Sequence, residues 1–295
     1  MEDLKIKCSI KPEMVRIFPF IFILLWSSAF ITTKPIIDNS DPFSALAFRF
    51  FIVAIGFYLF SIYKKHSVVV PKKNLVESVA SGVLFHGFYL GGVFYSISIG
   101  MPTGIAALIV TLQPVLTNAL SGPMLGEKVS SKQWIGVLLG FAGATLVLGL
   151  DIGSEIPITG LIATIIALIA ITSSTIWQKK LSNNLPLSVS NFYQAVGGCL
   201  FHILIIILFA KPYIDFSQTF VIAMSHQIFL VSFGAFTILM FLIKNNSASK
   251  TVSIFFLIPA TSAFMAWLFL NESLTNLDLL GFLITTIGVY IATRD

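Results

Sequence analysis

The chain has 295 residues, of which 56% are hydrophobic and only 11% charged, against about a quarter charged in an ordinary soluble domain. So few charges cannot cover a soluble globule of this size, and a chain this apolar is not disordered. A net charge of +5 would suggest nucleic acid in a soluble protein, but here the placement of the basic residues gives them another task, and no nucleic-acid partner is expected.

The first 13 residues form a polar tail. The apolar run from Ile17 to Ile31 and beyond is too long for a signal-peptide core, and no small-residue cleavage pattern follows it. A membrane helix needs about 20 mostly apolar residues. Ten segments meet that length: 17–37, 43–63, 77–97, 103–124, 132–150, 157–177, 187–210, 219–243, 248–270 and 277–293. The expected fold is therefore an all-α integral membrane protein with ten transmembrane helices, embedded in a lipid bilayer. Cys8 falls in the tail and Cys199 inside an apolar run, so no disulfide and no thiolate metal site is expected.

Orientation follows from Lys and Arg. With the N-terminus cytoplasmic, the tail, the cytoplasmic loops and the C-terminus hold Lys5, Lys7, Lys11, Arg16, Lys64, Lys65, Lys72, Lys73, Lys128, Lys132, Lys179, Lys180, Lys244, Lys250 and Arg294. The other side holds Lys211, while Lys34 and Arg49 fall within helices, which completes the 18 basic residues. A missed helix would scramble so one-sided a distribution. Both termini are expected in the cytoplasm (N-in/C-in).

The chain also repeats. Shifted by 145 positions, Lys34 falls on Lys179, Asn39 on Asn184, Pro114 on Pro259, Leu125 and Glu127 on Leu270 and Glu272, and Gly136 and Gly143 on Gly281 and Gly288, without a gap. Each copy holds five spans. Five is odd, so the second copy is inverted in the membrane, an architecture of many secondary transporters. The expected organisation is a 1–15 cytoplasmic tail, a first five-helix repeat over 16–150 and a second over 157–293.

The same residues carry a resemblance. Trp26, Lys34, the run FSALAFRF with Arg49, Gln113–Pro114, the LGE at Leu125–Glu127 and the QWIG ending at Gly136 resemble one unit of the EamA family in the drug/metabolite transporter superfamily. Pro259, the LNE at Leu270–Glu272 and Gly281 resemble the second unit. The resemblance covers nearly the whole chain and implies ten helices, a bacterial inner-membrane location and carriage of small metabolites or drugs, often outward. Gln194 stands at the counterpart of Arg49 and Asn271 at that of Gly126, so the halves present different chemistry to a shared pocket.

Several residues read as functional candidates. Pro114 and Pro259 lie about 11 residues into their helices, where a proline removes a backbone hydrogen bond and the freed carbonyl needs protein or a water-lined cavity. They are candidate hinges beside a midplane site, or plain packing kinks. Arg49, about six residues into its helix, is either a cationic anchor for a substrate carboxylate or a structural group snorkelling outward. Lys34 and Lys179 each sit near one mouth of the pathway, as gates or interfacial anchors. His86, near the midplane with Tyr89 close to its face, either carries protons or is a neutral hydrogen-bonding histidine. Gln113, Asn118, Gln178, Tyr193 and Gln194 offer amide and phenol groups, and Trp26 and Trp177 would wall the cavity. The glycines of the fifth and tenth spans either pack those helices together or form a homodimer face. Glu127 and Glu272 read as architectural helix-end residues.

The absences narrow the class. All 13 acidic residues fall in loops, tails or helix ends, so coupling through a mid-bilayer carboxylate is not expected. P-loop, H-E-x-x-H and G-x-S-x-G patterns are lacking, so neither a catalytic residue nor a metal or cofactor is assigned. A secondary transporter of small polar metabolites, foremost amino acids or other carboxylate-bearing compounds, is the leading reading. A drug, amphiphile or lipid carrier of the same fold comes second, ahead of an intramembrane enzyme or a sensor.

Overall fold

The computed structural model describes residues 12–101, 103–148, 156–181, 185–270 and 275–294. The tail to residue 11 with Cys8, and the repeat partners Asn184, Asn271 and Glu272, lie outside the described residues. Among the described residues ten helices are long and apolar enough to cross a membrane. They are α1 (Pro12–Asp38), α2 (Pro42–Tyr63), α3 (Lys72–Ser98), α4 (Ile105–Leu125), α5 (Ser131–Leu148), α6 (Ile158–Leu181), α7 (Leu187–Phe209), α8 (Gln218–Asn245), α9 (Ala248–Leu270) and α10 (Asn276–Thr293). Helices α1 and α3 start earlier than hydropathy suggests, at Pro12 and Lys72. Their first turns are polar, so they add helix without adding to the apolar run, and proline is tolerated in a first turn.

The two ends of the bundle can be told apart by their loop contacts. At one end the α1–α2 and α7–α8 connections pair, with Asp41 N donating to Tyr213 O at 2.9 Å and Asp215 N to Asn39 O at 2.8 Å. At the other end the lysine-rich connections gather. There the Glu127 carboxylate accepts from the backbone of Ala248 at 2.7 Å and of Ser249 at 3.2 Å. His66 meets Ser188 Oγ at 2.9 Å, and Tyr193 donates its hydroxyl to Val68 O at 2.6 Å. Large apolar side chains cover the periphery, among them Ile207, Phe209 and Leu283, as lipid contact requires.

Helix α5 lies against α10 along the glycine stripe. A Cβ on Gly136 would fall 2.6 Å from Gly288 O, and one on Gly143 would fall 2.7 Å from Gly281 O. The absent side chains let two backbones touch, which is how small residues join helices in lipid. The stripe is thus used within the chain.

Four helices depart from regular α-geometry, in two symmetric pairs. Helix α4 breaks at Thr111–Leu112 and resumes at Gln113–Leu125 with Pro114 in its first turn. Helix α9 passes through a 3-10 turn at Ile254–Phe256 and resumes at Leu257–Leu270, two residues before Pro259. Helix α3 widens to a π-helical stretch at Val83–Tyr89 and α8 does so at Gln227–Ala235. Each break falls within about two residues of the same place in its repeat.

Gly143→Ala should lower the thermal unfolding midpoint in detergent, since overpacking costs about 1–3 kcal/mol. Gly122→Ala, with its nearest new neighbour at 3.6 Å, should leave the midpoint unchanged or raise it. Equal effects at the two positions would show that the glycine contact does not determine this packing.

Candidate functional site

A cavity of about 410 Å³ lies between the repeats, within the size range of small-molecule sites. It reaches the end of the bundle opposite the lysine-rich loops, where Ile97 closes α3, Ala106 opens α4 and Leu148 ends α5. Its wall is mostly apolar. The polar side chains on it are Thr33, Arg49, Tyr89, Thr111, Gln227 and Ser262, together with the Trp26 indole.

The broken helices supply part of this wall. Proline cannot donate to the carbonyl four residues back, so Val110 and Phe255 lose their usual helical bonds from residues 114 and 259. Both residues line the cavity, the kind of place where irregular backbone is tolerated at membrane depth. Each broken helix rests on the first helix of the other repeat. Ser27 Oγ donates to Ile258 O at 3.3 Å and Ser262 Oγ to Ser27 O at 3.2 Å. On the opposite side Gln113 Nε2 donates to Thr175 Oγ1 at 3.1 Å.

Arg49 is the charged residue in the wall and is only 4% exposed. Its Nε donates to Ser232 Oγ at 2.8 Å, which fixes the guanidinium. Its centre lies 5.3 Å from the Phe50 ring. Among the described residues no carboxylate pairs with it, and the terminal nitrogens have no hydrogen-bond partner. A buried guanidinium in this condition is chemically able to take an anion at its two terminal nitrogens. Across the wall, Gln227 Nε2 donates to Ala29 O and Thr32 Oγ1, both at 2.9 Å. Trp26 is held by Phe22, Phe85 and Phe255, with ring centres at 5.3, 6.1 and 5.8 Å.

The sequence profile of the EamA-like transporter family matches residues 15–149 and again residues 158–294. The chain belongs to the EamA family of the drug/metabolite transporter superfamily. An uncharacterized transporter, YvbV, of Bacillus subtilis (strain 168) is 25% identical over 281 residues, covering 90% of this chain and 87% of that one. A probable amino-acid metabolite efflux pump of Escherichia coli (strain K12) is 21% identical over 294 residues, covering 93% of each chain. A solved structure described only as the crystal structure of a protein shares the fold, with a TM-score of 0.78, 18% identity and coverage of 95% of this chain and 97% of that one. The protein is thus an integral membrane transporter of the EamA family.

Of the residues singled out in this EamA chain, the cavity brings together Trp26, Arg49, Tyr89 and Pro259. His86, Gln113, Pro114 and Gln194 are buried outside its wall, and Trp177 is half-buried on α6. His86 is held between the Phe50 and Phe236 rings, at 4.3 and 4.6 Å, and its backbone carbonyl accepts from His202 Nε2 at 2.9 Å. Lys34 is exposed and pairs with Asp38 at 2.9 Å. Lys179 donates to the carbonyls that end α8, at 3.0 Å for Ile243 and 3.4 Å for Lys244, and to Asn246 O. Sequence reasoning missed Thr33, Thr111, Gln227, Ser232 and Ser262. The signal for Thr33 was available, because it is the repeat counterpart of Gln178.

Ser232→Ala should free the Arg49 Nε in a buried place. A thermal or denaturant unfolding measurement should then show a loss of about 1–3 kcal/mol. No loss would mean that the bond does not fix the guanidinium.

Proposed function

We propose that the protein is a secondary transporter of small polar metabolites, foremost amino acids and related carboxylate-bearing compounds. It works by alternating access between its two inverted halves, as an exporter or exchanger of a bacterial inner membrane with both termini cytoplasmic. The observation that carries this reading is Arg49, a buried cation on the cavity wall without an acidic partner among the described residues. A carboxylate entering the cavity meets two unengaged guanidinium nitrogens in low dielectric, where a bidentate charge-assisted pair is strong. The efflux-pump names of the relatives in Escherichia coli and Salmonella typhimurium support the same substrate class. The lysine-rich loops support the orientation by the positive-inside rule, and with it the cavity faces away from the cytoplasm.

In this reading Trp26 and Tyr89 hold the apolar part of the solute, and the helix breaks before Pro114 and Pro259 are where the halves bend. Lys34 and Lys179 act at the two mouths. The apolar majority of the wall favours one further solute type, amphiphiles with an anionic group, which Arg49 would serve equally.

Exchange in proteoliposomes tests this. Vesicles loaded with unlabelled amino acids should take up labelled ones. Arg49→Ala should abolish the exchange. Arg49→Lys, which loses the Ser232 bond and the bidentate geometry, should weaken it by roughly tenfold or more, about 1.4 kcal/mol. Exchange unchanged in both folded variants would refute Arg49 as the anchor. The absence of amino-acid exchange by folded wild-type protein would refute the substrate class.

A further inference from the structure

Six buried side-chain atoms have no hydrogen-bond partner among the described residues and share one relation to the cavity: His86 Nδ1, Gln113 Oε1, Thr117 Oγ1, Asn118 Oδ1, Gln178 Oε1 and Gln194 Oε1. Shifted by the repeat offset, their counterparts are Val231, Ile258, Ser262, Ala263, Thr33 and Arg49. All six counterparts line the open cavity. The other orphaned atoms, on Ser61, Asn191, His202 and Thr285, have counterparts outside its wall. The orphans therefore mark the two-fold image of the cavity, folded shut in the lysine-rich half of the bundle.

A buried polar group without a partner is unfavourable and calls for a reason. The amides of Gln113, Gln178 and Asn118 cannot relieve themselves by turning over. Gln113 Nε2 points to Thr175 Oγ1, whose own hydrogen goes to Ile171 O at 2.8 Å. Gln178 Nε2 points to Ser174 Oγ, which donates to Ser81 O at 3.2 Å. Asn118 Nδ2 donates to Pro114 O at 2.7 Å. In each case only the amide nitrogen fits the bonded side, so a carbonyl oxygen is left over. A void of about 10 Å³ already separates Gln178 from Gln194, room for a single water at most.

Contacts at the lysine-rich end hold this half closed. Glu127 caps the start of α9 through Ala248 and Ser249, and Gln133 Nε2 donates to Ser249 Oγ at 2.9 Å. Lys179 caps the end of α8. At the open end the counterpart of Lys179 behaves differently. The carbonyls equivalent to its acceptors belong to Ser98, Ile99 and Met101, and Lys34 turns instead to Asp38 of its own helix. One lysine is engaged across helices where the bundle is shut, and its partner is disengaged where the bundle is open.

We infer that these buried polar residues form a second, latent substrate vestibule, which opens when the Lys179 and Glu127 contacts release. Three of its unpartnered atoms, on Gln113, Gln178 and Asn118, are amide carbonyl oxygens held in that role by their bonded nitrogens. Its ligand class is therefore solutes bearing N–H or O–H donors, ammonium groups above all, in contrast to the anion-seeking Arg49 of the open cavity. The inference rests on the transporter reading but on neither its substrate nor Arg49 as an anchor.

The test uses full-length protein in detergent with Cys8→Ser and Cys199→Ala, and needs no transport substrate. Thr117→Cys and Ser262→Cys are symmetric reporters. N-ethylmaleimide should label Ser262→Cys readily. It should label Thr117→Cys no faster than native Cys199 in protein lacking only Cys8. Adding Lys179→Ala with Glu127→Gln should raise Thr117→Cys labelling at least tenfold and slow that of Ser262→Cys. Lys179→Gln alone, a milder change if the double variant fails to fold, should shift both rates in the same directions. Once released, Thr117→Cys should react faster with a trimethylammonium-bearing methanethiosulfonate than with its sulfonate analogue, and Ser262→Cys should show the reverse preference. Thr117→Cys still at the Cys199 level with Ser262→Cys reactive, or both sites opening together, would overturn the latent vestibule. Identical charge preferences at the two sites would overturn its ligand class.

Discussion

A peptide group that leaves a helix inside a bilayer must find another partner, because lipid offers none. That constraint organises this molecule. Helices α4 and α9 both break within the membrane, and both do so where protein or cavity surrounds the break. The residues facing Pro114 and Pro259 across the missing bonds, Val110 and Phe255, stand on the cavity wall. The π-helical stretches of α3 and α8 lie at matching depths and turn Tyr89, Gln227 and Val231 toward the same space. The glycine contact of α5 with α10 makes a tight pair behind these irregular helices. A regular part of the bundle thus supports an irregular part, and the irregular part contains the cavity.

The repeats are alike in backbone and unlike in chemistry. Arg49 and Gln194 occupy equivalent places, one on the wall of an open cavity and the other buried in a closed half. Opening one end of a two-fold molecule while closing the other makes every symmetric pair unequal. Lys34 and Lys179 display that inequality most directly, the first bonded within its own helix and the second across to α8. Much of the burial that looks structural in such a molecule is the record of which end is closed.

The number and length of the helices were legible in the sequence, because the hydrocarbon thickness imposes about 20 apolar residues on each span. The glycine stripe and the paired prolines were legible because their spacing repeats. The membership of the cavity wall was less so. His86, Gln113, Pro114 and Gln194 fit a shared pocket in a symmetric reading, yet they lie in the closed half, and no residue spacing encodes which half is closed. Thr33, Thr111 and Ser262 escaped notice since weakly polar residues are common helix–helix contacts in membranes. Gln227 escaped because its repeat counterpart is Gly82, so symmetry gave no second sign of it. Ser232, the partner that fixes Arg49, lies 183 residues away in sequence, and only the fold brings the two together.

The proposed role of Arg49 is to hold the carboxylate of a solute in the open cavity. The most direct measurement is the thermal midpoint of the wild-type protein with amino acids and with their methyl esters, since a ligand bound to the folded state stabilises it by mass action. At least one amino acid should raise the midpoint in a concentration-dependent way, and its methyl ester, which keeps the ammonium and side chain but lacks the charge, should not. Equal stabilisation by acid and ester would contradict a carboxylate held by Arg49.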